Sequence, residues 1–165
     1  MGVIHVAVVG PGEASDEEVR AAEVIGAELA RAGALVVCGG LGGVMAAACR
    51  GAASAGGTSL GLLPGRRRAD ANRWVTVAVP TGLGEGRNAL VVRSADAVVA
   101  VGGAYGTLSE IALALRAGLP VVGWRTWSLV DPSGAAAPII PVDDPAEAAR
   151  AALALARDRD RDRDG

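Results

Sequence analysis

The sequence predicts a doubly wound α/β fold, a Rossmann-like arrangement in which helices cover both faces of one parallel sheet. The first observation is that short apolar runs alternate with longer amphipathic or alanine-rich segments along the chain. The second is composition. Hydrophobic residues make up 51% of the chain and aromatic residues only 2%, so Val, Leu, Ile and Ala must form the core. The third is the length of 165 residues, which suits a single three-layer α/β/α domain.

The predicted strands are mostly apolar, β-branched runs, and most of them end at Gly or Pro. A strand that is buried on both faces has this pattern, whereas a half-exposed strand alternates apolar and polar residues. In chain order the predicted strands are Val3–Val9, Leu35–Cys38, Ser59–Leu63, Val75–Val79, Ala97–Val101, Pro120–Trp124 and a short Ile139–Val142.

Capping residues and glycine stops delimit the helices between these strands. Ser15 followed by Glu18 is a capping box that opens the first helix, and Gly33 ends it. Asp144 is predicted to cap the last helix. The earlier predicted helices run from Ser15 to Ala32, from Val44 to Ala55, from about Glu85 to Ser94 and from Thr107 to Ala117.

Charge and rare residue types exclude several classes of protein. All 16 basic residues are Arg, so the chain has no lysine for a Schiff base, for pyridoxal phosphate or for a Walker A motif. His5 is the one histidine, which argues against a Ser-His-Asp triad and a multi-histidine zinc site, and we expect no metal. The net charge of −2 argues against a nucleic-acid partner.

The remaining composition predicts a cytoplasmic protein with a charged tail. We interpret Cys38 and Cys49 as small buried hydrophobes in a reducing compartment rather than as a disulfide or redox pair.

No apolar stretch approaches the ~20 residues that a membrane span needs, so we expect no membrane partner. The domain is predicted to span 1–156, followed by a disordered, solvated tail of Arg-Asp repeats over 157–165.

Two glycine-rich loops stand where a phosphate-binding loop is expected. Each follows a strand and precedes a helix, whose first N–H groups and positive dipole end suit an anion. Neither loop matches the dinucleotide or Walker A motif, and tight turns also use Gly, so a purely structural role stays open. The predicted ligand-binding residues are Gly39, Gly40, Gly42, Gly43, Val44 and Met45 in the first loop, and Gly102, Gly103, Tyr105, Gly106 and Thr107 in the second.

The pair Thr107 and Glu110 has two interpretations. Thr-x-x-Glu is a capping box, in which both side chains bond to backbone groups without any ligand, and this is the first interpretation. The second lets the Thr107 hydroxyl donate to a phosphate while Glu110 faces the same cavity. The two roles are compatible with each other.

The second glycine loop also carries a family pattern. The segment Gly102–Glu110, with Arg87 at the expected distance before it, resembles the Pro-Gly-Gly-x-Gly-Thr-x-x-Glu motif of the Lonely Guy superfamily. The segment Val37–Met45 resembles that family's segment of strand, glycine loop and helix. The resemblance covers about 3–122 and implies the Rossmann-like fold. Members of this superfamily were long mislabelled lysine decarboxylases, and without lysine this chain cannot have that activity.

Part of the pattern resembles one subgroup more closely. The stretch Pro80–Asn88, the run Thr107–Ile111 and Asn72 resemble the subgroup that contains the molybdenum cofactor carrier proteins. Asn88 stands where the hydrolases of the superfamily usually have Lys, which removes a cation from the expected phosphate site. Gly102 replaces the family's Pro.

The resemblance implies two functions for the same site. In a nucleoside 5′-monophosphate phosphoribohydrolase, Glu110 would stabilise positive charge at the sugar or activate water, and Arg87 would hold the phosphate or ribose and keep Glu110 ionised. The alternative is a non-catalytic carrier of molybdenum cofactor, with Asn88 and the loops at the phosphate and the pterin over Gly42–Met45. The sequence slightly favours the nucleotide-binding protein with hydrolase activity. No further cofactor is implied.

The resemblance also implies a homodimer or homotetramer. The Ala-rich helices Val44–Ala55 and Leu108–Ala117 carry small residues that suit close packing between equivalent helices of two chains.

Overall fold

The computed structural model describes residues 2–164, which form one seven-stranded sheet with helices on both sides. The strands are β1 (His5–Val9), β2 (Leu35–Cys38), β3 (Ser59–Leu63), β4 (Val77–Pro80), β5 (Ala97–Val101), β6 (Val121–Trp124) and β7 (Ile139–Val142). Their order is β4-β3-β2-β1-β5-β6-β7, and all neighbouring pairs are parallel. The predicted Rossmann-like fold is therefore confirmed.

Helices pack on each face of this sheet and give three layers. The helices are α1 (Asp16–Arg31), α2 (Val44–Ser54), α3 (Arg87–Arg93), α4 (Tyr105–Arg116) and α5 (Pro145–Asp164). One buried cluster joins α1, α2 and α5 to the sheet, and a second joins α3 and α4 to the opposite face. Within residues 2–164, no helix has both the length and the apolar character that crossing a membrane requires.

The alternation of side chains along β1 explains its continuous apolar sequence. Val6 and Val8 belong to the cluster under α1, α2 and α5, whereas Ala7 and Val9 belong to the cluster under α3 and α4. Because successive side chains of a strand point to opposite faces, a strand covered on both faces needs apolar residues at every position.

Two glycines bring α1 and α2 into backbone contact. A Cβ at Gly26 would lie 2.0 Å from the Ala48 carbonyl oxygen, and a Cβ at Gly51 would lie 2.0 Å from the Glu23 carbonyl oxygen. The small face of α2 is therefore used inside the chain, against α1. The glycine face of α2 is thus occupied within the chain, and packing between equivalent helices of two chains stays a prediction.

The direction of the chain across the sheet creates a topological switch point. From β1 the chain moves outward through β2 and β3 to β4, then returns to β5 on the other side of β1 and continues to β7. The loops after β1 and β5 consequently leave in opposite directions and open a crevice at the carboxyl ends of the strands, where such folds bind ligands.

Several element boundaries differ from the predicted ones. The strand β4 begins at Val77, and α3 begins at Arg87 after a 3₁₀ turn at Gly84–Gly86. The helix α4 begins at Tyr105, two positions before the predicted start, with Ala104 as its N-cap.

The Arg-Asp repeats are helical rather than disordered as far as Asp164, so the predicted tail is corrected over 157–164; Gly165 lies outside the described residues. Alternating Arg and Asp place opposite charges three residues apart on a helix surface, and Arg161 pairs with Asp158 in this way. The repeats also extend a helix that is anchored by buried alanines such as Ala156.

Candidate functional site

A cavity of about 270 Å³ opens at the switch point, beside the carboxyl end of β1. It receives residues from the loop after β1, from the first glycine loop and α2, and from the N-terminal turns of α3 and α4. Its lining residues are Val8, Val9, Gly10, Pro11, Gly12, Gly39, Met45, Arg87, Asn88, Ala104, Gly106, Thr107 and Glu110.

The structure brings half of the predicted site residues together in this cavity. Those that line it are Gly39, Met45, Arg87, Asn88, Gly106, Thr107 and Glu110. Those that do not line it are Gly40, Gly42, Gly43, Val44, Gly102, Gly103 and Tyr105. The two glycine loops therefore meet at one cavity, as expected. Many of their residues lie outside the cavity lining and serve the conformation of the loops. Ligand binding by either group remains a prediction.

The first glycine loop is held by contacts within the chain. The side chain of Val44 is fully buried in the core, and its backbone N–H donates to the Pro11 carbonyl oxygen at 3.1 Å. Neither the side chain nor the N–H of Val44 therefore faces the cavity. Gly43 has φ +60°, and a Cβ there would lie 2.3 Å from the same Pro11 oxygen. Gly43 and Val44 therefore fix the backbone of the loop against the loop after β1.

Gly102, Gly103 and Tyr105 also have local roles. Gly102 has φ +67°, and a Cβ there would lie 2.1 Å from Oε1 of Glu18. A Cβ at Gly103 would lie 3.3 Å from Nε1 of Trp127, and Tyr105 packs against the Trp127 ring with 83% of its own surface exposed. They support the start of α4 from outside the cavity.

The loop after β1 contributes Gly10, Pro11 and Gly12, which sequence analysis did not assign to the site. A signal for it existed, because this loop also joins an apolar strand to a helix at the carboxyl edge of the sheet. What the sequence lacked was the strand order that places the loop opposite the one after β5.

Arg87 is held against the first glycine loop. Its side chain is buried, with the residue 8% exposed, and Nη1 donates to Oδ1 of Asn88. A Cβ at Gly39 would lie 2.7 Å from Cζ and Nη2 of Arg87 and 2.8 Å from Sδ of Met45. The absence of a side chain at Gly39 therefore leaves room for the guanidinium to lie on the backbone. Within residues 2–164, Nε of Arg87 is buried and has no hydrogen-bond partner.

Thr107 is not the cap of α4. It lies in the first turn of the helix, its residue is 2% exposed, and no side chain caps the helix at Ala104. The capping-box interpretation of Thr107 and Glu110 is therefore wrong, because the helix starts two residues earlier. In the part of the chain that the structure describes, Oγ1 of Thr107 is buried without a partner. An unmatched buried hydroxyl is costly and indicates a missing partner.

Glu110 lies one turn further into α4 and is 7% exposed. Burial raises the pKa of its carboxyl group to about 7, and the nearby positive charge of Arg87 lowers that pKa only in part. The expectation that Arg87 keeps Glu110 ionised is therefore corrected: near neutral pH the carboxyl is partly protonated. Across residues 2–164, Arg87 forms no ion pair with Glu110, although both line the cavity.

A second cavity, of about 460 Å³, lies at the opposite edge of the sheet. Its lining is mainly small and apolar, with His5 as its titratable side chain. Nδ1 of His5 already bonds to the Ser94 carbonyl oxygen, and the His5 N–H donates to Asp96. The cavity at the switch point, lined by Arg87 and Glu110, is therefore the better candidate for a binding or catalytic site.

The fold and the cavity define the class: a Rossmann-like α/β protein whose cavity opens at the switch point of the sheet. Within this class, the chain belongs to the SLOG cluster4 family, whose model matches residues 3–149. A curated protein of Archaeoglobus fulgidus, described as uncharacterized, is 42% identical over 125 residues, which are 76% of this chain and 82% of the relative.

Solved structures confirm the resemblance to the Lonely Guy superfamily and to its subgroup of carriers. The molybdenum cofactor binding protein from Rippkaea orientalis has a TM-score of 0.83 and 31% identity, over 93% of this chain and 97% of that one. The Moco carrier protein from Chlamydomonas reinhardtii has a TM-score of 0.82 and 33% identity, over 95% and 99% of the two chains.

A more distant neighbour shares the fold alone. DNA processing protein A from Helicobacter pylori has a TM-score of 0.68 and 18% identity, over 92% of this chain and 80% of that one. At that identity the likeness carries no argument about ligands.

Proposed function

We propose that this protein is a non-catalytic carrier that binds molybdenum cofactor, its cargo, through the phosphate of the pterin. The observation that carries the proposal is the buried, unpartnered Oγ1 of Thr107 in the first turn of α4. A phosphate oxygen would supply the acceptor that this hydroxyl lacks. The similarity to molybdenum cofactor proteins at 31% and 33% identity supports the choice of ligand.

The charges and backbone of the cavity fit a phosphate. The N–H groups of Gly106 and Thr107 belong to the first turn of α4, where helix N–H groups have no acceptor in the preceding turn. They act together with the helix dipole on an anion. Arg87 adds a full positive charge and the buried Nε donor that has no partner in the described chain. A Cβ at Gly106 would meet no atom within 4 Å, so a ligand can approach the backbone there.

The volume of the cavity favours binding of one end of the ligand. Whole small-molecule pockets span roughly 300–1,000 Å³, and this cavity holds about 270 Å³. We therefore assign the phosphate end to the cavity and the pterin to the surface of the first glycine loop, over Gly42–Met45.

The experiment is mass spectrometry of the small molecules that co-purify with the native protein. A molybdopterin, or its oxidation products, at near one equivalent per chain supports the proposal. The matched variant is Thr107→Val, which keeps the shape of the side chain and should co-purify with much less pterin. Protein that carries no pterin, even when expressed in cells that make the cofactor, contradicts the proposal.

The second candidate function is hydrolysis of a nucleoside 5′-monophosphate at the N-glycosidic bond. The observation that favours it is Glu110, a buried carboxyl whose pKa of about 7 lets it exchange a proton at neutral pH. Arg87 would hold the phosphate or the ribose hydroxyls, as the resemblance implies.

Release of free base from AMP and related monophosphates tests this second function. Glu110→Gln should lower the release by orders of magnitude, and the double variant with Arg87→Ala should lose little more, because the two residues would act as one unit. If wild-type protein releases no base from any monophosphate while it binds a pterin, the carrier function alone stands.

A further inference from the structure

We propose that Cys38 and Cys49 form a reversible disulfide that controls the first glycine loop of the site. Both cysteines are fully buried and both thiols are free. Their sulfur atoms lie 3.4 Å apart, so that one thiol donates to the other. Sequence spacing gave no hint of this contact, because the residues are eleven positions apart and lie on β2 and α2.

The two sulfurs are chemically unequal, as in dithiols that react stepwise. Hydrogen bonds from Cys38, and to a smaller extent from Ser59 and Asn72, together lower the pKa of Cys49 to about 7, against the effect of burial. The contact with Cys49 and then burial raise the pKa of Cys38 well above its usual value. The contact of the two sulfurs supports the pairing itself, and the directions of the two pKa shifts favour Cys49 as the attacking thiolate and Cys38 as the resolving thiol.

The oxidant class is a hydroperoxide as small as hydrogen peroxide, because the sulfurs are buried and leave no room for a bulky disulfide. The Cys49 thiolate attacks one peroxide oxygen, the O–O bond breaks, and the leaving hydroxide takes a proton to become water. Cys38 then attacks the Cys49 sulfenic sulfur, the S–O bond breaks, and its thiol proton leaves with the oxygen as a second water. The two sulfurs lose two electrons and the peroxide gains them. A thiol reductant reverses the change.

The sulfur of Cys38 is bonded to the first glycine loop, and Asn72 links the surroundings of Cys49 to the same loop. The Gly40 N–H donates to Sγ of Cys38 at 3.3 Å. The Asn72 side chain, which lowers the pKa of Cys49, also donates to the Leu41 carbonyl oxygen at 3.0 Å. A disulfide needs a sulfur separation of about 2.05 Å, so its formation must move the sulfur of Cys38, of Cys49 or of both, and a moved Cys38 sulfur alters its bond to Gly40. A change in the loop would in turn change ligand binding at the cavity. This last step rests on the proposed function, whereas formation of the disulfide does not.

The test begins with the native protein and hydrogen peroxide. Trypsin cleavage after Arg31 and Arg50 releases peptide 32–50, which contains both cysteines. After quenching and alkylation in denaturant, we expect loss of both free thiols and a peptide lighter by two hydrogen atoms, restored by dithiothreitol. Oxidation of Met45 in the same peptide adds oxygen and is distinguished by mass.

Two variants locate the attacking sulfur. Cys38→Ser should still oxidise at Cys49 but form no disulfide, and Cys49→Ser should leave Cys38 reduced at least about tenfold longer than Cys49 in the wild type. The proposal is overturned if native wild-type protein keeps both thiols while the urea-unfolded chain is oxidised, or if it forms sulfinic acid without a disulfide. These wild-type results do not depend on whether the variants fold.

The second arm measures the effect on the site with AMP and inorganic phosphate as probes. We expect the rise in melting temperature that they cause to differ between oxidised and reduced protein. Equal shifts in the two forms overturn control of the site by the disulfide. If neither form responds to either probe while the disulfide forms, phosphate binding fails as the proposed function and the disulfide itself stands.

Discussion

Glu110 shows how burial changes a single side chain. Because its pKa is raised to about 7, the native protein binds more protons than the unfolded chain between the two pKa values. The stability that this group contributes is complete below its unfolded pKa and is lost as the pH rises through about 7. The cause is desolvation, which outweighs the attraction of Arg87.

We predict that Glu110→Gln removes this pH dependence. Between about pH 5 and about pH 8, wild-type protein should lose up to roughly 3 kcal/mol of unfolding free energy relative to the variant. Urea denaturation of both proteins across that range measures the difference. Parallel stability curves for the two proteins would show that Glu110 titrates at an ordinary pKa.

Thr107 gives a second prediction at this scale. Thr107→Val removes a buried hydroxyl that has no partner in the described chain, so stability should stay constant or rise by about 1 kcal/mol. The rise in melting temperature caused by AMP should shrink in this variant and persist in Thr107→Ser. A loss of about 1 kcal/mol in Thr107→Val would instead show that the hydroxyl has a hydrogen-bond partner in the unliganded protein.

The glycines of the two loops differ according to the element that each belongs to. Gly43 immediately precedes α2 with φ +60° and lies against the Pro11 carbonyl oxygen, whereas Gly106 lies inside the first turn of α4 beside open space. A glycine can serve such a loop either by adopting a positive φ or by letting a ligand approach the backbone closely. At Gly106 only the second reason applies, because its φ is not positive.

A matched pair of alanine variants separates these roles. Gly43→Ala should cost at least about 2 kcal/mol, because it combines backbone strain with a steric clash. Gly106→Ala should be neutral or stabilising by up to about 1 kcal/mol, since Ala is the better helix former. Its new Cβ lies at the cavity, so the melting-temperature shift with AMP should fall. An unchanged shift in a stable Gly106→Ala protein would place the phosphate elsewhere.

At the scale of the whole molecule, the surfaces that are left exposed by the packing of the helices determine how chains can assemble. The small face of α2 is occupied by α1, so an interface must use other surfaces. Leu83 and Leu90 lie just before and within α3, on the face of the sheet opposite α2. Both are exposed apolar residues and could take part in an interface there.

We predict a homodimer or homotetramer, and sedimentation velocity at micromolar concentration measures it. Leu90→Glu should lower the sedimentation coefficient if α3 takes part, and Arg20→Glu, an exposed position on α1, serves as a charge-changing control. A single species at the chain mass of 16.4 kDa would contradict the prediction.

The sequence by itself determined the fold class and most elements. Continuous apolar runs predicted the strands, and the box at Ser15 and Glu18 opens α1 as expected. Local patterns succeed here because burial on both faces of a parallel strand, and a cap at a helix start, leave their signature in neighbouring residues. The family pattern added Arg87 and Glu110, which the structure places at one cavity.

Only the tertiary structure decided the contacts, the hydrogen-bond partners and the pKa values of these residues. The strand order placed the loop after β1 at the cavity, and the true start of α4 left the Thr107 hydroxyl without a partner in the described chain. Packing also brought the sulfurs of Cys38 and Cys49 to 3.4 Å and raised the pKa of Glu110 to about 7. These properties depend on distances between segments remote in sequence and on the exclusion of water, which no local pattern encodes.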